Sequence, residues 1–422
     1  HSSRSTHLAV MMVLALLFYP AFRTSISEPL TGPTAGDTLR RRCGFALDLI
    51  LVGLVIMVQG YLLYDVEEFQ AREGFLDTSD IYMGGLLIIL VLETTRRAVG
   101  WTMVLITGFF IVQTLYSNHF FGMFYGPPVG LEEFVDVQFV RTDGIFGIPI
   151  LVASTYIVLF ILFGAVLIRS GAGQFFIDLA VSLTGHRTGG PAKAAVVASA
   201  FLGTVSGSAT ANVVTTGSFT IPMMKRLGYR GRFAGAVEAC ASSGGQITPP
   251  IMGAAAFIIA EFMRVSYLTV IVAAIVPAFL YFATIYFMVH LEAEKHGIER
   301  VSRDELPDFF AVLKRGWHLL LSLVVLVIYL VIGFTPMHAA FWAIVTLTLL
   351  TFINPKTRMS PVDMFAALES GVRSTVPVTI ACACAGIIIG SVFASGLGLK
   401  FTNGVIDLAG GSLIVLLMLT GL

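Results

Sequence analysis

Apolar runs long enough to form membrane helices follow one another along most of the chain. They lie at about 8–22, 44–64, 81–95, 98–116, 147–169, 233–260, 267–290, 317–334, 337–353 and 372–394. A transmembrane helix needs roughly 20 consecutive, mostly apolar residues. Hydrophobic residues make up 56% of the chain and charged residues 12%, whereas charged residues are about 25% of a soluble domain. The pattern predicts an all-α polytopic membrane protein.

One uncharged stretch, Ala194 to Met224, is polar at its centre. Within residues 201–220, twelve of twenty residues are Gly, Ser, Thr or Asn. Irregular backbone facing lipid is not tolerated, because each unpaired amide costs several kcal/mol. The stretch therefore predicts a re-entrant helical hairpin that is buried in protein. Its two half-helices would have about 11 residues each, or about 16 Å at 1.5 Å per residue, and its tip would span 206–212.

The distribution of charge supports the same hairpin. Basic residues at 40–42 and 96–97 alternate with acidic loops at 65–80 and 132–143, and the positive-inside rule places the basic loops in the cytoplasm. Continuing the alternation places Lys193 and Lys225 on the same, cytoplasmic side. An intervening segment that crossed the membrane would have separated them, so a segment that enters and returns fits better. The net charge is zero, and the basic surface that nucleic-acid binding requires is missing.

Two segments of the chain resemble each other. Ser170-Gly171 and Ser395-Gly396 are each followed by an Ile-Asp-Leu-Ala sequence, which begins at Ile177 and at Ile406. The charge count places the exits of the two copies on opposite sides, which predicts an inverted repeat around a site at the membrane midplane. A second hairpin would then fall near 431–435, beyond the last residue. We therefore expect the chain to be truncated before it.

A second broken segment follows the hairpin, between Phe233 and Ala260. Gly244 and Gly245 permit unwinding, and Pro249-Pro250 removes two backbone donors. Carbonyl, hydroxyl and amide oxygens freed in this way suit a hard cation such as Na⁺. We expect one cation between the hairpin tip and this break, with no other cofactor. The candidate cation-binding residues are Ser206, Ser208, Thr210, Asn212, Gly244, Gln246, Thr248 and Pro249.

Two further possibilities remain open from the residues. Glu238 lies in the broken segment, where an acidic residue is a functional candidate; alternatively it reaches the interface or pairs with Arg232. Ser206 and Ser208 lie in a Gly-rich setting that an intramembrane serine hydrolase would also use. Such an enzyme needs a His or Lys base at the same depth, and the sequence places none there.

The sequence from Gly203 to Phe262, which includes SGSATAN and SSGGQITPP, closely resembles the large permease subunit of TRAP transporters. The resemblance is closest to the TAXI type, in which the small and large membrane subunits are fused. It extends over 146–422. Residues 1–125 resemble the small subunit (DctQ-like), and 140–422 the large, DctM-like transport region. Many relatives outside the TAXI type carry Asp at the position of Asn212.

The resemblance implies a permease, not an enzyme, in the inner membrane. It implies Na⁺-coupled uptake of an organic acid delivered by an extracytoplasmic solute-binding protein, with an elevator-type motion among membrane lipids. Substrate contacts would come from Ser208, Asn212 and Gln246. Without the second hairpin, these residues alone should not transport. The alternatives are the hydrolase and another tripartite organic-acid carrier with similar hairpins.

Overall fold

The computed structural model describes residues 2–20, 35–64, 66–298, 306–352 and 357–421. Nearly all of these residues are helical, and no β-strand occurs within these ranges. The prediction of an all-α polytopic membrane protein is confirmed. The end of the predicted segment 8–22, the start of the acidic loop at Asp65 and the last residue of the segment 337–353 lie outside the described residues.

The helices follow one another in a simple order. They are α1 (Ser2–Phe18), α2 (Ala35–Tyr64), α3 (Val66–Ala71), α4 (Thr78–Ala98), α5 (Trp101–Leu115), α6 (Leu131–Val135), α7 (Ile148–Val152), α8 (Val158–Leu167), α9 (Gly173–Thr184), α10 (Gly190–Ser206), α11 (Ala209–Arg226), α12 (Gly231–Gly244), α13 (Ala254–Met263), α14 (Tyr267–Lys295), α15 (Phe309–Ile332), α16 (Pro336–Thr351), α17 (Pro361–Ala394), α18 (Leu397–Ala409) and α19 (Leu413–Gly421). Single π-turns at Ala153–Ile157 and Ile168–Ala172 join α7 to α8 and α8 to α9.

Six helical segments in the described part of the chain are long and apolar enough to cross a membrane. They are Cys43–Tyr64, Thr78–Ala98, Ile148–Thr184, Tyr267–Lys295, Phe309–Ile332 and Pro361–Ala394. Four shorter apolar helices, α1, α5, α13 and α16, coincide with other predicted segments. The predicted segment 233–260 is divided between α12 and α13, as its Gly and Pro residues indicated.

The chain divides into two compact units, one of His1–Ser154 with Val376–Leu422 and one of Thr155–Thr375. In the first unit, α1, α2 and α4 pack together. The buried Arg97 guanidinium pairs with Asp48 at 2.6 Å and with Glu93 at 2.6 Å. The predicted boundary between the small-subunit and large-subunit regions, at 125–140, does not coincide with the division into these two units, and it stays a prediction.

The second unit has α10 at its centre, where it packs against α8, α9, α11, α12 and α14. Small residues make this close packing possible, since they let helix backbones approach each other. Ala192, Ala195, Ala234 and Ala241 are fully buried in one such cluster, together with Met224.

The two similar segments have the same local structure. Gly171 (φ 96°) and Gly396 (φ 63°) each adopt a left-handed conformation that glycine tolerates and other residues resist. Helices α9 and α18 follow them and contain the two Ile-Asp-Leu-Ala sequences. The hydroxyls of Ser170 and Ser395 both donate to a carbonyl of the preceding turn. The opposite orientation of the two copies stays a prediction.

Candidate functional site

The chain between Ala194 and Met224 forms two helices that turn back on each other. Helix α10 ends at Ser206, and Gly207 (φ 56°, ψ 0°) provides the left-handed residue that commonly terminates a helix. Ser208 then caps α11, because its hydroxyl accepts a hydrogen bond from the Ala211 amide at 3.3 Å. Helices α10 and α11 pack side by side along their length. A helical hairpin is therefore present; its re-entry into a membrane stays a prediction.

The predicted dimensions of this hairpin were wrong. Helix α10 has 17 residues and α11 has 18, whereas half-helices of about 11 residues were expected. Pro191 occupies the first turn of α10, where its missing N–H costs nothing, and this starts the helix early. The turn comprises only Gly207 and Ser208. Ser206 belongs to α10, and Thr210 and Asn212 belong to α11.

The break after α12 lies where the sequence predicted it. Helix α12 ends at Gly244, a short 3₁₀ turn covers Gly245–Ile247, and Thr248 is extended (φ −88°, ψ 116°). Helix formation resumes only at Ala254. The Pro249–Pro250 peptide bond is cis. Proline disfavours the α conformation in the residue before it and supplies no amide, so the chain between Thr248 and Gly253 is irregular.

The hairpin turn and the α12 break are in direct backbone contact. A Cβ atom on Gly207 would lie 2.1 Å from the Met252 carbonyl oxygen, and one on Gly203 would lie 2.5 Å from the Cα atom of Gly245. Only glycine allows two backbones to come this close. The structure therefore brings the two predicted clusters together. The contact is made by glycines and by the carbonyl of Met252, and Met252 was not among the residues selected from the sequence.

The eight candidate residues differ in exposure. Ser208, Thr210 and Gln246 are exposed, Ser206 and Pro249 are half-buried, and Asn212, Gly244 and Thr248 are buried. Some of their oxygens already accept hydrogen bonds. The Gly244 carbonyl accepts from the Thr248 hydroxyl at 2.7 Å, and the Gln246 carbonyl accepts from the Gly253 amide at 2.7 Å. A carbonyl oxygen has two lone pairs, so each can still accept a second partner or an ion.

Asn212 has a structural contact that the sequence did not reveal. Its amide nitrogen donates to the Ser199 carbonyl at 2.8 Å, across the hairpin from α11 to α10, and its side chain is fully buried. An Asp at this position would have no N–H to donate. The Asn therefore helps to hold the two hairpin helices together.

The donors near the turn are hydroxyl, amide and carbonyl oxygens. Within the described ranges, no group of three or more His, Cys, Asp or Glu residues is arranged to hold a metal ion. Neutral oxygen ligands suit a hard cation of low charge better than a transition metal. The donor set is therefore of the chemical type that a hard cation prefers, and the cation site stays a prediction.

Ser206 and Ser208 lack the partner that a nucleophile needs. The Ser206 hydroxyl contacts the Ser208 carbonyl at 3.5 Å, and the Ser208 hydroxyl accepts from the Ala211 amide. Neither hydroxyl contacts a His or Lys side chain among the residues that the structure describes. A serine hydrolase requires such a base, so the geometry does not support one.

Glu238 does not reach the interface, and it does not pair with Arg232. Its side chain is fully buried, while Arg232 is exposed. Hydroxyl groups from α10, α11 and α12 surround the carboxylate. They belong to Ser199, Thr216, Thr220 and Ser242. The high density of Ser and Thr in 199–220 is visible in the sequence and could have indicated these residues. That they all bond to Glu238 depends on how the three helices pack.

Comparison with known protein families decides the class. Residues 86–422 match the family described as "Tripartite ATP-independent periplasmic transporter, DctM component". The chain belongs to this family. Members of the family are permeases, so the hydrolase alternative is wrong. The alternative of another tripartite organic-acid carrier is not separated from the TAXI type by this match.

Individual relatives agree with the family match. The chain is 30% identical over 182 residues to the C4-dicarboxylate TRAP transporter large permease protein DctM of Pseudomonas aeruginosa, covering 43% of this chain and 42% of that protein. It is 30% identical over 195 residues to the protein of the same name from Rhodobacter capsulatus, covering 43% and 44%. It is 26% identical over 182 residues to the sialic acid TRAP transporter large permease protein SiaM of Vibrio cholerae, covering 43% and 42%. The matches span less than half the length of these relatives.

Proposed function

We propose that this DctM-family chain forms the hairpin-bearing part of a Na⁺-coupled permease. It takes up an organic acid that an extracytoplasmic solute-binding protein delivers, and it resides in the inner membrane. The contact of the hairpin turn with the α12 break carries this proposal, because broken helices of secondary transporters hold ions with their freed backbone groups. The names of the relatives, which specify C4-dicarboxylate and sialic acid, support an acidic substrate.

The cation in this proposal lies between 206–212 and 244–249. Thr248 is the best-supported side-chain ligand, since it is buried in the irregular segment and faces the end of α12. Ser208 and Gln246 are exposed and remain candidate substrate contacts. The engaged amide of Asn212 makes that residue a poorer substrate contact than Ser208 or Gln246.

The finer features of the proposal concern architecture and motion. Residues 1–125 act as the fused small subunit of a TAXI-type permease, and the hairpin-bearing region moves against a scaffold in an elevator-type cycle. Residues 1–85 precede the matched DctM region, which supports a separate role for the start of the chain, whereas residues 86–125 lie within the match and their assignment to the small subunit rests on the resemblance alone. The resemblance of 203–262 to TAXI-type permeases supports the subtype.

Uptake by the full-length permease tests the coupling ion. The protein is reconstituted in liposomes with its binding protein, and uptake of a labelled organic acid is compared with Na⁺ and with K⁺ outside. We expect uptake only with Na⁺. Uptake that is equal in both salts would refute Na⁺ coupling.

A variant locates the ion. Thr248→Val removes one hydroxyl and should weaken the apparent Na⁺ affinity about 10- to 100-fold, since a hydrogen bond or ligand to a charge is worth about 1.5–3 kcal/mol. Ser243→Ala is the matched control, because its exposed hydroxyl bonds the Ala239 carbonyl within its own helix. An equal effect of both substitutions would place the ion elsewhere.

A further inference from the structure

A carboxylate lies fully buried among hydroxyl groups in the second unit, and it makes no direct hydrogen bond to the candidate cation ligands. The Glu238 oxygen Oε1 accepts from the hydroxyls of Ser199 at 3.2 Å and Ser242 at 3.1 Å, and from Thr216. Oε2 accepts from Thr220 at 2.5 Å. All five side chains are 0% exposed. In the part of the chain that the structure describes, Glu238 forms no ion pair.

Burying a carboxylate without a counter-charge is costly. The charge must be paired, stabilised by hydrogen bonds, or removed by protonation. Four hydroxyl donors supply part of the stabilisation, and protonation would remove the charge that remains. We propose that the Glu238 carboxyl group is a proton-binding site, and that it takes up and releases one proton during the transport cycle proposed above.

The hydrogen-bond network can serve both charge states without moving heavy atoms. A hydroxyl has one hydrogen to donate. With Glu238 ionised, Thr216 and Thr220 donate to the carboxylate. Each also has a second acceptor in place, because Thr216 Oγ1 lies 2.8 Å from the Asn212 carbonyl and Thr220 Oγ1 lies 2.9 Å from the Thr216 carbonyl. Both threonines can therefore turn their hydrogens to the backbone.

The proton belongs on Oε2. This oxygen has one donor, whereas Oε1 has three. Proton transfer from hydronium forms the Oε2–H bond and leaves a water molecule, and the new O–H group donates to Thr220 Oγ1. Thr220 then donates to the Thr216 carbonyl. On release the Oε2–H bond breaks, the proton returns to water, and Thr220 turns back to the carboxylate.

The packing favours a proton over a metal ion at this place. Oxygen ligands surround a metal ion at a distance, for example about 2.3–2.6 Å for Ca²⁺, and the ion holds them apart from one another. Here the hydroxyls contact the carboxylate directly. Gly217 also packs on the Glu238 side chain, since a Cβ there would lie 3.0 Å from Cγ. The Thr216 and Thr220 hydroxyls lie closer to the carboxylate than two ligands of one ion lie to each other, so they are bonded to it as hydrogen-bond donors.

Other charged and titratable groups lie on the elements packed against α12. They are Lys193 on α10; Lys225 and Arg226 at the end of α11; Tyr267, Tyr281, Tyr286, His290, Glu292, Glu294 and Lys295 on α14; and Arg232 and Cys240 on α12 itself. The Lys193 ammonium lies 4.8 Å from the centre of the Tyr286 ring, and the Tyr281 hydroxyl donates to the Cys240 carbonyl. Glu238 is the acidic residue at the junction of α10, α11 and α12.

The proton has a consequence for transport. Moving an unpaired charge within a membrane protein is unfavourable, so the protonated, neutral form is the one that moves. Uptake should therefore be lower where the carboxyl group has lost its proton. Glu238→Gln keeps the shape and cannot ionise, so its uptake should not respond to pH over the same range.

Infrared difference spectroscopy on the purified full-length protein tests the site without transport. Titration also protonates other members of the 26 Asp and Glu side chains, so the signal is the component of the carboxylic-acid carbonyl band that disappears in Glu238→Gln. The same component should persist in Glu261→Gln, which changes a half-exposed glutamate on α13. Persistence of the full band in Glu238→Gln would overturn the proposal. If the band behaves as expected while uptake ignores Na⁺, the proton site stands and the coupling ion is wrong.

A second variant covers the case in which Glu238→Gln does not fold. Thr220→Val keeps the carboxyl group and removes the single donor to Oε2. The ionised form loses its charge-assisted bond from Thr220, and the protonated form loses the acceptor of its Oε2–H group. Because the charge-assisted bond is the stronger, proton affinity should rise by up to about 10-fold, which moves the band's midpoint to higher pH. Ser243→Ala should leave the midpoint unchanged. A midpoint that does not move in Thr220→Val would contradict the assigned network.

Discussion

Replacing Gly207 with alanine tests the contact on which the proposed ion site depends. The substitution has two separable costs. Gly207 has φ 56°, a left-handed conformation that costs a residue with a Cβ atom about 1–2 kcal/mol. The new methyl group would also lie 2.1 Å from the Met252 carbonyl oxygen. Because both sides of this contact are backbone, the turn and the α12 break must move apart.

A matched glycine separates the two costs. Gly333 ends α15 in the same unit with φ 97°, and no atom lies within 4 Å of where its Cβ would be. Gly333→Ala should therefore cost only the backbone term. Overpacking usually costs about 1–3 kcal/mol, so Gly207→Ala should destabilise the protein by about 1–3 kcal/mol more than Gly333→Ala.

Thermal unfolding of the purified full-length protein in detergent measures this difference. For a domain of roughly 150–250 residues, the range that includes the second unit (Thr155–Thr375), the thermal unfolding midpoint shifts by about 2–4 °C for each kcal/mol of unfolding free energy. The same preparation gives the apparent Na⁺ affinity, which should fall in Gly207→Ala and remain unchanged in Gly333→Ala. Equal midpoints for the two variants would show that the hairpin turn does not contact the Met252 carbonyl, and the proposed site would lose its basis.

Three further predictions follow from single contacts. Gly203→Ala places a methyl group against Gly245 and should destabilise the protein by about 1–3 kcal/mol. Gly235→Ala, in open space within α12, should instead stabilise it by up to about 1 kcal/mol. If thermal unfolding showed that both variants change stability in the same direction, the contact between Gly203 and Gly245 would be contradicted. Asn212→Asp removes the donor to the Ser199 carbonyl and should cost about 1–3 kcal/mol in unfolding free energy, and an unchanged stability would refute that role. Burial, with Glu292 nearby, raises the pKa of Tyr229 to about 12, so its hydroxyl stays protonated. This hydroxyl has no hydrogen-bond partner among the described residues, so Tyr229→Phe should leave the unfolding free energy unchanged or raise it slightly. A loss of more than about 1 kcal/mol in the same assay would contradict the assignment.

The positions of the chain breaks could be predicted from the sequence, because helix termination depends on the residues at the break and their immediate neighbours. Gly207 and Ser208 carry the terminating and capping preferences of two helices. The Gly244-Gly245 pair and Pro249-Pro250 likewise stop α12 by removing conformational restraint or a donor. Both breaks could be read from neighbouring residues alone, and the structure has both.

The lengths of the half-helices could not be predicted in the same way. The estimate assumed that the polar residues around position 212 stay outside a helix. In the structure, Asn212 is within α11 because its amide finds the Ser199 carbonyl on the opposite helix, and its hydroxyl neighbours bond to preceding carbonyls of their own helix. Polar residues in a tightly packed hairpin can thus be helical when each has a partner, and the partner is set by tertiary packing.

The surroundings of Glu238 show most clearly where local reasoning ends. The residue is six positions into its segment from Arg232, a spacing that suggests a local pair or a side chain reaching the interface. Three helices converge on it instead, and Gly217 lets α11 approach closely enough for Thr216 and Thr220 to reach its carboxylate. The residues that decide its role lie 18 to 39 positions away in sequence. An acidic residue and a hydroxyl-rich helix were both visible in the sequence, and only the packing of α10, α11 and α12 makes them one site.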